Sequence, residues 1–227
     1  MKFEQMGQNR KESRYTGHQF EEEILQGIEC DWDNDNWIHA SREEKNEIVK
    51  KWLQDHLPYI SDWDWNRANP DERKVWILDW VKKNQPENWD PSNPVFFKNP
   101  DANHADHRNE ALKTNNTIAS NLHTSVAEAL GLENYDGLKF YSSLHTPVDT
   151  LYGVDCFFEF NGITLTVDVT VNQSKVEGGV RMDKADWILT LDDPDNNEEI
   201  EAEAKRIAQA IKRKVDMAER RKRLQAA

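Results

Sequence analysis

Two aspartates in neighbouring strand-like segments are the residues of this chain whose types and positions best suit chemistry. Asp155 precedes the dipeptide Asn161-Gly162, and Asp168 follows it. Asn-Gly between alternating apolar segments predicts a tight β-hairpin, in which the residues on either side of the turn pair. Counting outward from that pair places the two aspartates opposite each other. Like charges at facing positions destabilise a sheet, so we expect a divalent cation between the carboxylates.

The same register divides the hairpin into two faces. One face is predicted to be apolar core, and it consists of Val154, Cys156, Phe158, Phe160, Ile163, Leu165, Val167 and Val169. The other face is predicted to be polar and to carry both aspartates, and it consists of Gly153, Asp155, Phe157, Glu159, Thr164, Thr166, Asp168 and Thr170. A slip by one residue would bury the aspartates and expose the apolar set, which supports this register. The alternative is a half-exposed hairpin with two solvated acids.

Length and composition indicate a globular protein of one or two domains. The chain has 227 residues, 37% of them apolar, and nine Trp, enough for a substantial core. No segment approaches the roughly 18 apolar residues of a membrane span, and the first residues lack the apolar stretch of a secretory signal. Two cysteines, Cys30 and Cys156, are too few for a disulfide framework. We therefore expect a soluble, intracellular and cytoplasmic protein with Cys156 in its core.

Charge is unevenly distributed along the chain. The formal net charge of −13 argues against a general nucleic-acid coat, because phosphate binding draws mainly on Lys and Arg. Residues 205–223 nevertheless hold nine Lys or Arg against two acids. This predicted basic helix is either a solvated face or a phosphate contact. The candidate nucleic-acid contacts are Lys205, Arg206, Lys212, Arg213 and Lys214.

A tandem repeat precedes the hairpin. At an offset of 28 residues, Trp37 and Trp52 recur as Trp65 and Trp80. Each copy is predicted to be a loop followed by one helix that starts with a capping box and carries an apolar stripe. The paired Trp residues are interpreted as core, and a surface for a partner protein or for stacked bases is the alternative.

The remaining patterns predict the organisation of the whole chain. We expect an N-terminal arm over 1–30 with a short helix near 20–28, the helical repeats over 31–90, a linker over 91–103, and an α/β domain over 104–227. The predicted elements of the last domain are a helix over 104–130, strands near 138–142, 151–160, 163–171 and 186–191, and a helix over 197–223.

The order of a helix, three strands, a short crossover, a strand and a helix resembles the PD-(D/E)xK nuclease superfamily. The resemblance covers residues 104–224, with an aspartate on the second strand and another on the third. It implies a restriction-endonuclease-like αβββ(α)β core with a central mixed sheet, behind a small all-helical repeat domain. It also implies that Asp155 and Asp168 bind Mg²⁺ or Mn²⁺ and that the reaction is phosphodiester hydrolysis. The superfamily's lysine, two residues after the second acid, is replaced here by Thr170.

Because the lysine is replaced, another residue must orient the attacking water. Since a cation near the nucleophilic water is needed, Lys175 is the first candidate for orienting that water and Lys184 the second. The superfamily often has a Glu on its first helix, for which Glu110 is an accessory candidate and Glu128 a weaker one. Asp149 is a rival for the first acid, although it lies beyond the reach of the predicted ladder.

These patterns favour a metal-dependent endonuclease, of a kind that suits a phage or mobile element. DNA is the expected partner, the repeats would dock a protein partner or select the substrate, and whether a homodimer forms to cut both strands stays open. Two alternatives belong to other classes. One is a catalytically degenerate nuclease fold used as a binding or assembly protein, and the other is an acidic interaction module that occupies a nucleic-acid-binding partner.

Overall fold

The computed structural model describes residues 21, 24–32, 34–86, 89, 116–170, 185–191 and 196–225. The helices are α1 Asn34–His39, α2 Arg42–His56, α3 Asp62–Arg67, α4 Pro70–Lys83, α5 Asn116–Leu130, α6 Pro147–Tyr152 and α7 Asn197–Gln225. The strands are β1 Leu138–Ser142, β2 Cys156–Phe160, β3 Ile163–Val169 and β4 Trp187–Leu189, with a 3₁₀ turn at Tyr135–Gly137 before β1. Across these ranges the protein is mixed α and β, which agrees with the predicted α+β class. None of the described helices is both long and apolar enough to cross a membrane.

One mixed sheet holds the four strands in the order β1-β2-β3-β4. The β1-β2 and β2-β3 pairs are antiparallel, whereas β3 and β4 run parallel. The predicted hairpin register is confirmed from Phe160–Ile163 to Cys156–Val167. Asn161 and Gly162 both have positive φ, 52° and 72°, as the tight Asn-Gly turn requires.

The predicted start of the second strand, near residue 151, is wrong. Pro147–Tyr152 forms α6 instead, and the strand begins at Cys156. A proline in the first turn favours this short helix, and Gly153, with φ of 56°, ends it in the left-handed region. A short apolar segment has no periodicity that separates a buried helical turn from a strand, so the pattern alone could not place this boundary.

The sheet separates two apolar clusters. On one face, α5 and α7 pack against Cys156, Phe158, Val167 and Val169 to form the first cluster. This agrees with the predicted core face, and it confirms Cys156 as a core residue. On the other face, helices of the repeats cover the sheet and form the second cluster, which includes residues from α2 and α4.

The prediction of a polar second face is wrong for several of its members. Phe157 is fully buried in the second cluster, and Val154 belongs to that cluster rather than to the first. Thr166 and Thr170 are only 3% and 4% exposed. Periodicity along the hairpin shows which residues share a face, but only the docking of the repeats decides that the more polar face is also covered.

The repeat itself is evident in the structure. Helices α1 and α2 recur as α3 and α4, and the capping boxes at Ser41 and Asn69 are both formed. Each unit thus contains a short helix in the part predicted to be loop. The interpretation of the repeat Trp residues as core is confirmed for Trp52 and Trp80, which are buried with ring centroids 4.9 Å apart.

Polar contacts add to the apolar packing between the repeats and the sheet. Gln85 donates from Nε2 to the carbonyl of Ser142 at 2.9 Å, and its Oε1 accepts the N–H of Ser142 at 3.0 Å. Lys82 forms an ion pair with Glu159. The predicted boundaries 31–90 and 104–227 stay predictions, and the linker over 91–103 and most of the arm lie outside the described residues.

Candidate functional site

Asp155 is a buried carboxylate held at the start of β2. The residue is only 4% exposed, and its Oδ2 accepts a hydrogen bond from the N–H of Val169 at 2.6 Å. The N–H of Asp155 donates to the carbonyl of Val167 at 2.9 Å, and its carbonyl accepts the N–H of Ser143 at 2.8 Å. Backbone and side chain together therefore tie Asp155 to the segment after β1 and to the end of β3.

The hairpin ladder ends one pair before the two aspartates. Its last pair is Cys156 with Val167, and beyond it the N–H of Asp155 also bonds to Val167. The N–H of Val169 then donates to the carboxylate of Asp155, where a regular ladder would supply a backbone carbonyl. The predicted direct pairing of Asp155 with Asp168 is thus replaced by a side-chain bond to the residue next to Asp168.

Acidic neighbours surround Asp155. Burial raises the pKa of its carboxyl group well above the ordinary value, and the negative charges of Asp149, Glu21 and Asp168 raise that pKa further. The hydrogen bond from Val169 acts in the opposite direction. We call Glu21, Asp149, Asp155 and Asp168 the acidic cluster.

The pKa of the Cys156 thiol is influenced by negative charges of the same cluster. Burial raises the pKa of this thiol, and the charges of Asp155 and Asp168 raise it further. Cys156 lies in the first cluster. Its thiol is thus a second group at this end of the hairpin whose pKa the two aspartates raise. The two acids predicted from the hairpin are therefore brought into one electrostatic environment.

Asp149 belongs to the acidic cluster although it lies on a helix. It sits in the first turn of α6, and its Oδ2 accepts the N–H of His145 at 2.9 Å. His145 itself has a φ of 66°, an uncommon conformation for a residue other than glycine. The ladder alone could not place Asp149, since the fold turns the chain back through α6 before β2 begins.

Glu21 was missed by sequence reasoning, which assigned it to an N-terminal arm. The segment that follows it lies along the end of β1, where the N–H of Ile28 donates to the carbonyl of Leu144 at 3.0 Å. The hydroxyl of Ser142 donates to the carbonyl of Gln26 at 2.6 Å. These bonds bring Glu21 close enough to raise the pKa of Asp155.

Gly27 permits the close approach of this segment. A Cβ atom added at residue 27 would lie 2.3 Å from Nδ1 of His145, which is shorter than any ordinary contact. The thiol of Cys30 donates to the carbonyl of His145 at 3.1 Å. The only sequence signal for this docking was a short helical pattern near residues 20–28, which does not say what the segment packs against.

The other predicted acids and lysines are distributed differently. Glu128 lies on α5, is exposed, and accepts the hydroxyl of Tyr135 at 2.9 Å, so it does not join the acidic cluster. Glu110, Lys175 and Lys184 lie outside the described residues.

Thr170, two residues after Asp168, follows β3 directly. Its N–H donates to the carbonyl of Leu189 at 2.9 Å, and the residue is 4% exposed. This position is therefore a buried junction between β3 and β4. If a lysine cation lies near Asp168, it must therefore belong to another residue of the chain.

The acidic cluster fits Mg²⁺ or Mn²⁺ in its donor atoms. Carboxylate oxygens are the hard ligands that these ions prefer, and Mg²⁺ is commonly bound by one or two carboxylates together with water. Among the described residues, no group of three or more His, Cys, Asp and Glu side chains is arranged as a ready-made metal-binding group. Asp155 and Asp168 stay the predicted direct ligands, and Asp149 and Glu21 are the acids whose charges act most strongly on Asp155.

The basic helix α7 lies on the opposite face of the sheet from Asp168. Val167 and Val169 both pack in the first cluster with α7, so alternation directs Asp168 towards the second cluster. Among the five predicted nucleic-acid contacts, Lys205 pairs with Glu201, Arg206 pairs with Glu203, Lys212 donates to the carbonyl of Ala129, Lys214 pairs with Asp186, and Arg213 is exposed. The structure therefore does not bring these cations beside the acidic cluster.

Comparisons with protein-family models, with curated proteins and with solved structures found no match for this chain. The acidic cluster consists of carboxylates, which are oxygen donors, and the backbone N–H of Val169 orients the carboxylate of Asp155.

Proposed function

We propose that this protein is a metal-dependent endonuclease that hydrolyses phosphodiester bonds in nucleic acid, with DNA as the expected substrate. One observation carries the proposal. Asp155 is buried, and the charged neighbours that shift its pKa are three further acids, Asp149, Glu21 and Asp168. Burying a carboxylate in such a field costs free energy, and a bound cation would offset that cost.

The proposed roles follow from position and charge. Mg²⁺ or Mn²⁺ held by Asp155 and Asp168 would polarise the scissile phosphate and lower the pKa of a bound water. The hydrogen bond from Val169 orients the carboxylate of Asp155. Asp149 and Glu21 lie around that pair and strengthen the attraction for a cation. Lys175 is the first candidate for orienting the attacking water, and Lys184 is the second.

The order of the elements also supports the proposal. A helix, β1, β2, β3, β4 and a final helix follow one another in the described part of the α/β region, and the sheet is mixed. This order is compatible with a restriction-endonuclease-like core. Within the described residues, α6 departs from the αβββ(α)β pattern: it is a short helix between β1 and β2 that contributes Asp149.

A catalytically inactive relative of such nucleases is the second candidate. Thr170 favours it, because a buried threonine stands where the superfamily has its lysine. In that case the acidic cluster would bind a cation for stability, and the protein would act as a binding or assembly factor. Both candidate functions include a surface on the repeats that binds a partner, and that surface stays a prediction.

Cleavage assays separate the two candidates. Supercoiled DNA, single-stranded DNA and RNA would be incubated with Mg²⁺ or Mn²⁺ and with the wild type, Asp168→Asn, Lys175→Ala or Glu128→Gln. Glu128→Gln is the matched control, since it removes an exposed carboxylate outside the acidic cluster. The endonuclease proposal expects cleavage by the wild type and by Glu128→Gln and none by Asp168→Asn. Absence of cleavage with either metal, together with cation binding, would favour the inactive relative.

A further inference from the structure

The C-terminal part of α7 extends beyond the core. This helix has 29 residues, and its last buried residue is Ile211. Every residue from Glu219 to Gln225 is exposed, including Leu224, which is 79% exposed. A projecting helix end that is not needed for packing is available for contacts with another molecule.

Cations on α7 fall into two groups. Lys205, Arg206, Lys214 and Arg223 form ion pairs with Glu201, Glu203, Asp186 and Glu219, respectively, and Lys212 donates to the carbonyl of Ala129. By contrast, Arg213, Arg220, Arg221 and Lys222 form no ion pair or hydrogen bond with another residue of the described ranges. The second group retains its full capacity to bind an anion from outside the protein.

Only some of the unpaired cations lie away from the acids of the projecting end. Successive residues of an α-helix advance by about 100°, so residues three or four positions apart are neighbours on its surface. Arg213 and Arg220 are therefore neighbours of Asp216. Arg221 faces away from both Asp216 and Glu219, and Lys222 borders the side that carries Arg221. That side of α7 is consequently positive, although the whole chain is acidic.

A groove runs along this positive surface. It has a volume of about 530 Å³ and lies between the hairpin turn and α7. Its lining is apolar at Ile163, Met217 and Ala218, with Arg221 and Lys222 at its edge. Met217 is 52% exposed. Lys214 also lines the groove, but it is engaged with Asp186 at 2.6 Å and with the carbonyl of Thr164 at 2.9 Å.

We propose that this groove and the adjoining positive side of α7 bind the sugar-phosphate backbone of a nucleic acid. We call this surface the α7 anchor, with Arg221 and Lys222 as its unpaired cations. The inference rests on the proposed function, because it names where that enzyme holds its substrate. Arg221 has a planar guanidinium group that can donate two hydrogen bonds to one phosphate. The apolar lining suits contact with sugars, and the neighbouring cations Arg221 and Lys222 suit successive phosphates.

The α7 anchor is separate from the acidic cluster. Thr164 lines the groove, and Asp168 lies four residues further along β3, a distance of about 13 Å along a strand. Helix α7, which forms the other wall of the groove, packs on the face of the sheet opposite Asp168. Binding at the α7 anchor and hydrolysis at the acidic cluster can therefore be lost independently.

The test measures binding without cleavage. Full-length protein would be titrated in EDTA against fluorescent 30-nucleotide single-stranded DNA, the corresponding duplex and RNA, over a range of salt concentrations. Arg221→Gln with Lys222→Gln removes two unpaired cations at the groove. Lys205→Gln with Arg223→Gln is the matched control, since it removes the same charge from the same helix at ion-paired positions. Circular dichroism would show that both variants keep their helix.

The expected result is a loss of affinity confined to the groove variant. Its affinity should fall roughly tenfold at 0.1 M salt, and the slope of log K against log salt should decrease by about 2. Equal affinities for the two double variants, or no binding of any nucleic acid, would overturn the inference. Equally tight binding of a poly-glutamate peptide with the same sensitivity would overturn it in favour of an acidic protein segment.

Failure of the proposed function has a different signature. If the groove variant loses binding but the wild type cleaves nothing with Mg²⁺ or Mn²⁺, the α7 anchor stands and the endonuclease proposal fails. If the wild type cleaves and both double variants bind alike, the endonuclease proposal stands and the α7 anchor fails. Asp168→Asn should bind in EDTA at least as tightly as the wild type, because it removes a distant negative charge.

Discussion

The carboxylate of Asp155 accepts the backbone N–H of Val169 at 2.6 Å, so a side chain completes the hairpin where its ladder ends. This bond orients one acid of the cluster through the residue that follows Asp168. It also partly compensates the cost of burying a carboxylate, since a charged acceptor strengthens a hydrogen bond. The geometry of the candidate site is therefore built into the hairpin itself.

Replacing Asp155 separates its charge from its hydrogen bond. Asp155→Asn keeps an oxygen that can accept the N–H of Val169 and removes the negative charge from the cluster. We expect it to raise the free energy of unfolding of the metal-free protein. Asp155→Ala leaves the buried N–H of Val169 without its acceptor, and we expect a loss of about 1–3 kcal/mol. Urea denaturation in EDTA at pH 7.5 measures both, and a less stable Asp155→Asn would contradict the proposed repulsion.

Stability of the metal-free protein should depend on pH through Asp155. Because the pKa of this group is raised on folding, the folded state binds its proton more tightly than the unfolded state does. Stability should therefore fall as pH rises from the ordinary Asp value of 3.8 through the raised folded-state pKa. The difference in unfolding free energy between the wild type and Asp155→Asn, measured at each pH, isolates this contribution. A difference that does not change with pH would count against it.

Divalent cations should stabilise the folded protein at neutral pH. At a metal concentration one hundred times the dissociation constant, the expected gain is about 2.7 kcal/mol. Asp168→Asn should lose this gain, whereas Glu128→Gln should retain it, because Glu128 is exposed and bonded to Tyr135. Thermal unfolding with Mg²⁺, Mn²⁺ and EDTA checks the prediction. An equal shift in wild type and Asp168→Asn would place the cation elsewhere.

Glu21→Gln tests whether the N-terminal segment contributes to the cluster. Removing this charge lowers the negative potential at Asp155, so metal affinity should fall roughly tenfold or more. Glu29→Gln is the control on the same segment, because Glu29 is exposed and is not among the charges that shift the pKa of Asp155. Calorimetric titration with Mn²⁺ compares the two. Equal affinities would show that Glu21 does not act on the bound cation.

Local patterns predicted much of the fold correctly. The Asn-Gly turn specified the hairpin register, because both turn residues adopt positive φ and the alternation of the strands allows no slip. The capping boxes at Ser41 and Asn69 located the starts of α2 and α4, since each box satisfies the free N–H groups of the first turn. The boundary at Pro147–Tyr152 was not predicted, because six residues are too few to show a helical period.

Long-range contacts decided the rest. Nothing near Glu21 in the sequence indicates that it approaches Asp155, and the approach depends on the docking of residues 24–30 beside Leu144 and His145. The cover over Phe157 likewise depends on the repeats. Alternation showed that Asp168 and the core valines point in opposite directions, but it could not show that α7 packs on the side of the valines.

The sequence by itself determined the local features of this protein: the hairpin and its register, the repeat, the apolar face of the hairpin and the two aspartates at the hairpin end. Each depends on residues near one another in the chain, whose turn, capping and periodicity preferences act locally. Only the tertiary structure decided which acids gather around Asp155, which face the repeats cover, and which α7 cations remain unpaired. Those outcomes depend on burial and charge between segments that are distant along the chain, and no local pattern encodes that proximity.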